Sequence, residues 1–330
     1  MRRLVNKCTI PVFVFFLALV LVGTVAGVGE ARTQFISIGT GGTGGVYYPY
    51  GGGLAEIWTK NVKGVKAVAE ITAASVENVR LADRGETVIG LIMGDVAFQA
   101  YNGQGAFEGK PQRILSMAAM YPNILQIVTL KGSGIKNVND FKGKTISTGA
   151  PGSGTAFMAD LVLKALDISM DSFTVRRLSF AENVNALRDR TIDAAFWVVA
   201  PGTSSIMDLA TTHDIEMISF TPEQQKKVAE AHGFYSPWDM EGGVYKGVDG
   251  NTPTISVWNV VICQKSLPDD MVYQLTKVLF EQNDYMQKIH PFARYTTPEN
   301  LVSQTPIPIH PGTAKYLKEK GITVPANLIP

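Results

Sequence analysis

Apolar positions along the chain alternate between short strand-like runs and longer segments with helical spacing. Runs at 35–39, 65–71, 88–93 and 113–120 are rich in Ile, Val, Leu and Met, and the segments 46–61, 76–85 and 95–102 between them repeat apolar residues every three to four positions. A second set follows, with strands predicted over 125–130, 144–148, 174–179 and 192–198 and helices over 154–166, 181–190 and 203–212. Strand–helix alternation of this kind predicts a largely parallel sheet, and two such sets predict two α/β lobes. The stretch 233–252, rich in glycine and aromatic residues, shows no clear period and reads as a loop, after which a helix over 269–280 is predicted to return to the first lobe.

Two glycine-rich turns stand out against this pattern. Gly39-Thr40-Gly41-Gly42-Thr43-Gly44-Gly45-Val46-Tyr47-Tyr48-Pro49-Tyr50 follows the first strand, and Gly149-Ala150-Pro151-Gly152-Ser153-Gly154-Thr155 follows the strand Lys144-Thr145-Ile146-Ser147-Thr148. Each sets a helix N-terminus, with its free N–H groups, at the carboxyl end of a strand. Open α/β sheets bind ligands along that edge, and helix N-termini favour anions. If the lobes face one another, both turns line one cleft.

Other chemistry is excluded by spacing. Gly39, Gly41 and Gly44 match G-x-G-x-x-G with Glu70 after the second strand, a pattern that on its own would suggest a dinucleotide site. Neither turn ends in the G-K-[ST] of a nucleotide-phosphate loop, and Pro151 removes the first glycine of a G-x-S-x-G frame around Ser153. His213, His232, His290 and His310 are scattered without a second ligand at metal spacing. Glu70, Asp95 and Asp193 form no pair suited to acid–base work.

The first residues argue against a cytosolic enzyme. Arg2, Arg3 and Lys7 precede an uncharged apolar run from Pro11 to Val22, and small residues continue to Ala31. This is the layout of a secretory signal peptide over 1–31, too short for a convincing membrane span. Of the two cysteines, Cys8 falls in that segment, so the mature chain would hold Cys263 alone and no internal disulfide. The full chain has 30 basic and 29 acidic residues; without the signal these become 27 and 28, which leaves no basic field for nucleic acid.

In order along the chain, Gly41-Gly42-Thr43-Gly44-Gly45-Val46-Tyr47-Tyr48, Ala74-Ser75-Val76-Glu77-Asn78, Met120-Tyr121-Pro122, Asp140-Phe141-Lys142-Gly143-Lys144, the second glycine turn, Ile192-Asp193-Ala194-Ala195-Phe196 and Ile307-Pro308-Ile309-His310-Pro311-Gly312 resemble the TAXI group of substrate-binding proteins of TRAP transporters. The resemblance spans nearly the whole mature chain. It implies an α/β protein with a two-lobe periplasmic-binding-protein fold, type II-like, and a hinged central cleft. Lobe I would comprise 33–121 plus 257–330 and lobe II 122–256. The implied protein is a periplasmic monomer, not an enzyme, without cofactor or metal, that hands a small organic anion to TRAP transporter membrane subunits. An exported α/β enzyme acting on a small anionic metabolite is the alternative.

Carried onto this sequence, the ligand-binding residues from the first lobe are Thr43, Gly44, Tyr47, Ser75, Asn78 and Asp95. Ser75 and Asp95 also suit helix caps. From the second lobe come Gly152, Ser153, Gly154 and Thr155, with Trp197 as an apolar wall or a core residue. Tyr121, at the first crossing between lobes, contacts ligand, sets the hinge, or does both. The group's associations put a C4–C5 dicarboxylate or acidic amino acid such as glutamate or 2-oxoglutarate first; Met93 and Trp197, which would make one end of the cleft apolar, keep a monocarboxylate such as a hydrophobic 2-oxoacid second. Departures at Ala74, Met93 and Asn123, where the group commonly has glycine, glutamine and glutamate, bear on that choice.

Overall fold

The computed structural model describes residues 33–330, so the segment read as a signal peptide, with Cys8, lies outside the described residues. The chain runs β1 (Gln34–Gly39), α1 (Tyr47–Asn61), β2 (Val65–Glu70), α2 (Ser75–Arg84), β3 (Ile89–Met93), α3 (Gly94–Asn102) and β4 (Ile114–Leu130). It continues through β5 (Thr145–Ser147), α4 (Gly154–Ala165), β6 (Thr174–Arg176), α5 (Phe180–Arg188), β7 (Ala194–Val199), α6 (Ser204–Thr212), β8 (Ile215–Met217) and α7 (Pro222–Ala231). Finally β9 (Ser236–Met240), β10 (Thr252–Gln264) and α8 (Asp269–Glu281) precede three shorter helices.

The strands join in the order β2-β1-β3-β10-β4-β7-β5-β6, with β8 on β4 and β9 on β10. β1 runs parallel to β2 and β3, and β5 runs parallel to β6 and β7. In each half, then, the earliest strand sits between its two successors. The strand order reverses direction there, and a crevice opens at the carboxyl ends of β1 and β5. Both glycine turns leave the sheet at those ends.

Only β4 and β10 belong to both halves. All 17 residues of β4 are buried, the pattern of a strand covered on both faces. Sequence pattern predicts two strands here, over 113–120 and 125–130, because Pro122 interrupts the run. The two are one strand. Pairing with β10 shifts register between Trp258 and Val260, opposite the segment from Ala119 to Pro122, and a bulge is where a strand tolerates proline. Asn259 fills the irregularity: its Nδ2 donates to the Tyr121 carbonyl at 2.8 Å. The stretch 233–252 also holds more than a loop, since Ser236–Met240 pairs antiparallel with β10. Its polar edge strand has little internal pattern and is ordered by its neighbour.

α1 forms despite Pro49, Gly51, Gly52 and Gly53. Pro49 falls in the first turn, where a helix needs no N–H from it, and a Cβ on Gly51 would collide with the Thr40 methyl group. The helix therefore lies close over the end of β1. Trp58 Nε1 donates to the Leu275 carbonyl at 2.9 Å, which ties α1 to α8 and brings the C-terminal segment back to the first half.

Asn78 fastens this corner. Its buried Nδ2 lies 3.0 Å from the Gly39 carbonyl, 2.7 Å from that of Thr40 and 2.8 Å from that of Leu91, while its Oδ1 accepts from the Thr72 hydroxyl at 2.6 Å. Asn78→Ala leaves buried carbonyls without donors and is expected to cost about 2–4 kcal/mol of stability, read as a lower urea midpoint at unchanged slope. A midpoint within error of wild type would show that this network does not hold the corner.

Candidate functional site

A cavity of about 430 Å³ opens where the two turns meet. Its floor on the first side is the turn 41–46 and the start of α1. The Thr40 N–H and hydroxyl both donate to the Glu70 carbonyl, at 3.0 and 2.6 Å, and pin the turn to the end of β2. The N–H groups of Thr43, Gly44, Val46 and Tyr47 have no hydrogen-bond partner among the described residues, and the first turn of α1 contains no acidic side chain.

The second turn faces it. Gly149 and Gly152 adopt φ of 102° and 80°, values suited to glycine, and Ser153 caps α4. The Ser153 hydroxyl accepts from the Ala156 N–H at 3.0 Å and donates to the Ala150 carbonyl at 2.7 Å. The N–H groups of Gly154 and Thr155 have no partner among the described residues, and α4 also lacks an acidic residue in its first turn. Two helix N-termini thus bring backbone donors to one cavity, each contributing about 0.3–1 kcal/mol towards an anion at the surface and up to about 2 kcal/mol when partly buried.

Two other helices begin here but are already satisfied. α2 starts after Ala74, whose φ of 74° is costly for a residue with a Cβ, and no side chain caps it. The Gly152 carbonyl takes that place from across the cleft, accepting from the Val76 and Glu77 N–H groups at 3.1 and 3.3 Å. α5 carries its own capping box, Ser179 with Glu182. A second strut crosses where the Thr203 hydroxyl donates to the Gly44 carbonyl at 3.1 Å.

Of the residues that the sequence singles out, Thr43, Gly44, Tyr47, Ser75, Ser153, Gly154 and Thr155 line the cavity. Ser75 does not cap its own helix; its Oγ accepts from the Met93 N–H at 3.1 Å. The Tyr47 hydroxyl donates to Asn259 Oδ1 at 2.5 Å, and burial holds the phenol well above its ordinary pKa. Asn78, Asp95, Tyr121 and Trp197 stand behind the wall, and Gly152, off the lining, gives its carbonyl to α2 across the cleft. Asn78 does not reach the cleft, because its amide is engaged at the corner described above. Tyr121 packs in the core between Tyr50 and His290, with ring centroids 5.4 and 6.2 Å away. Trp197 is buried, donates from Nε1 to Ser205 Oγ at 3.1 Å, and stacks at 5.9 Å on Phe180.

Phe180, Asn123, Leu178, Val198 and Val199 line the cavity without having been assigned to the site by sequence. Phe180 had a legible signal, since Ser179-x-x-Glu182 marks a helix start after a strand. Asn123, noted only as a departure at its position, donates from Nδ2 to the Val198 carbonyl at 3.1 Å, and its buried Oδ1 has no partner among the described residues. Among the described residues no Lys, Arg, His, Asp or Glu side chain lines the cavity. Among the described residues no group of acidic, His or Cys side chains is arranged to hold a metal.

Asp95 is fully buried on α3, where it accepts from the Tyr235 hydroxyl and the Val96 N–H, both at 2.7 Å. Burial pushes its carboxyl from the ordinary 3.8 up to about 7, against the pull of those hydrogen bonds. Between these two values the folded protein keeps a proton that the unfolded chain has lost, so stability falls as pH rises through the window. The full difference is on the order of 4 kcal/mol. Urea unfolding from pH 4 to pH 7 is expected to show this decline in the wild type and a flatter profile in Asp95→Asn. Parallel profiles would show that Asp95 titrates normally.

The fold has known counterparts. A protein of Bordetella bronchiseptica superposes with a TM-score of 0.53 at 18% identity, over 90% of this chain and 84% of that one. The binding-protein component of an ABC phosphonate transporter from Pseudomonas aeruginosa gives 0.53 at 14% identity, over 78% of each chain. A Listeria monocytogenes protein described as an L-cystine ABC transporter gives 0.51 at 14% identity, over 80% of this chain and 98% of that one. The architecture is that of periplasmic binding proteins. With its family model matched over residues 38–321, the chain belongs to the NMT1-like family.

Proposed function

We propose that this chain is the periplasmic substrate-binding receptor of a TRAP-type secondary transporter, of the TAXI group, and that it captures a small carboxylate in the cavity between two lobes. The observation that carries the reading is the convergence of the α1 and α4 N-termini on a cavity with no acidic side chain. Backbone donors in a low-dielectric site coordinate a carboxylate without an arginine. The solute-binding architecture and the ordered motifs support the transport role. No helix among the described residues is long and apolar enough to cross a membrane, which fits a protein working beside membrane subunits.

In this reading 33–121 with 257–330 forms lobe I and 122–256 forms lobe II. The hinge lies where β4 and β10 pass between them, near the bulge at Asn259. Closure engages the Gly152 carbonyl with α2 and Thr203 with Gly44. The receptor releases its ligand by breaking these struts, a modest change suited to a hinge motion. Residues 1–31 direct export and are removed.

A charge placed at the rim tests the anion site. A Cβ on Gly42 meets nothing within 4 Å, so the position accepts a side chain. Gly42→Asp is expected to weaken binding of a carboxylate by roughly thirtyfold to a hundred-and-fiftyfold, as about 2–3 kcal/mol of repulsion at ~6 Å and an effective dielectric near 20 would produce. Gly42→Asn stays within about threefold of wild type. Calorimetry against 2-oxoglutarate, glutamate, pyruvate, 4-methyl-2-oxopentanoate and phenylpyruvate supplies the measurement. Equal effects of the two substitutions would remove the anion from the site.

Transport type is decided separately. Reconstituted with its membrane subunits, the receptor is expected to support uptake driven by a sodium or proton gradient without ATP. Uptake that requires ATP would contradict the TRAP assignment and leave the receptor role in place.

A further inference from the structure

We infer that the ligand carries a single anionic group on a bulky apolar body, and that Phe180 and Met93 set this preference. The inference rests on the carboxylate-receptor reading above and narrows it.

Charge accounting at the four helix starts gives the first reason. The N-terminus of α2 is occupied by the Gly152 carbonyl and has Glu77 in its first turn, and that of α5 is offset by Glu182. Only α1 and α4 remain for an anion. One carboxylate can draw on both, whereas two would share these partial charges with no cationic side chain on the lining. Burying a second carboxylate against apolar walls is costly, and the partial charge at a helix end does not offset it.

Shape and surface give the second. Away from the two turns the large side chains of the lining are the apolar Ile71, Met93, Leu178, Phe180, Val198 and Val199, and the polar ones, Thr72, Ser75, Asn123 and Ser179, are neutral. Phe180 stacks on the buried Trp197, with 5.9 Å between ring centroids and 27° between ring planes, and its ring offers an aromatic wall to a ring or a branched chain. Met93 sits against Gly154, where a Cβ would collide with its Sδ, and offers no N–H to a second carboxylate. The cavity, about 430 Å³, admits a body larger than a four- or five-carbon diacid. A diacid would leave apolar wall wet; a larger apolar body covers it.

Calorimetry with chosen probes tests the inference. Phenylpyruvate or 4-methyl-2-oxopentanoate is expected to bind at least tenfold more tightly than 2-oxoglutarate, glutamate or succinate. Phe180→Ala is expected to weaken the better apolar monoanion at least tenfold and pyruvate, which lacks the body, less than threefold. Met93→Gln, milder for folding, narrows the gap between phenylpyruvate and 2-oxoglutarate. Tighter binding of any diacid or of glutamate overturns the inference and leaves the carboxylate receptor intact, and so does an equal loss for pyruvate and phenylpyruvate in Phe180→Ala. Failure of every carboxylate, with binding of the neutral amide of phenylpyruvate, overturns the carboxylate reading as well.

Discussion

The passage of the chain between the two halves of the sheet depends on one buried amide. β4 and β10 are the only strands common to both halves, and their register breaks where Pro122 withholds an N–H. Asn259 supplies what the break removes: Nδ2 donates to the Tyr121 carbonyl and Oδ1 accepts from the Tyr47 hydroxyl. The crossing is thereby connected to the first residue of α1, whose N–H groups face the cavity. A bulge concentrates bending at one point of otherwise continuous strands. The same amide that permits the bend also reads the position of the glycine turn.

Among the described residues the cavity is lined by unpaired backbone N–H groups and by no Lys, Arg, His, Asp or Glu side chain. Helix α2 begins with donors that its own sequence does not cap, behind a strained Ala74, and the Gly152 carbonyl from the opposite turn completes it. A neutral carbonyl therefore joins the two halves, while the donors of α1 and α4 have no partner among the described residues. The two tasks draw on the same physics: unpaired N–H groups at a helix start need an acceptor, and it makes no difference whether protein or ligand provides it. The division between them follows from which turn reaches which helix.

Asp95 shows that a buried carboxyl near the cavity need not be a ligand contact. Its partners are Tyr235 and its own turn, and Phe98 on the same helix packs on Phe234 with ring centroids 6.0 Å apart. These contacts attach α3 to the segment preceding β9. The structural consequence is a pH-sensitive packing contact behind the wall, outside the set of residues that line the cavity.

Much was legible in the sequence because it is local. Periodicity located α1 to α6, α8 and most strands within a few residues but missed α7 and the three short helices after α8, and glycine clusters following strands marked both turns. Free helix N-termini need only backbone, so the unpaired N–H groups of Gly44 and Gly154 could be expected without a fold. What required the tertiary structure is contact between distant segments. Whether Asn78 and Trp197 face the cavity or the core depends on the neighbouring strand and helix; both are engaged behind the wall. Ser153 and Ser75 have hydroxyls of the right type, but the former serves its own helix and the latter the end of β3. The continuity of β4 through Pro122, the β9 edge strand and the capping of α2 by Gly152 all rest on partners more than ten residues away in sequence. A single chain's local pattern states which groups need partners, and only packing decides which partners they find.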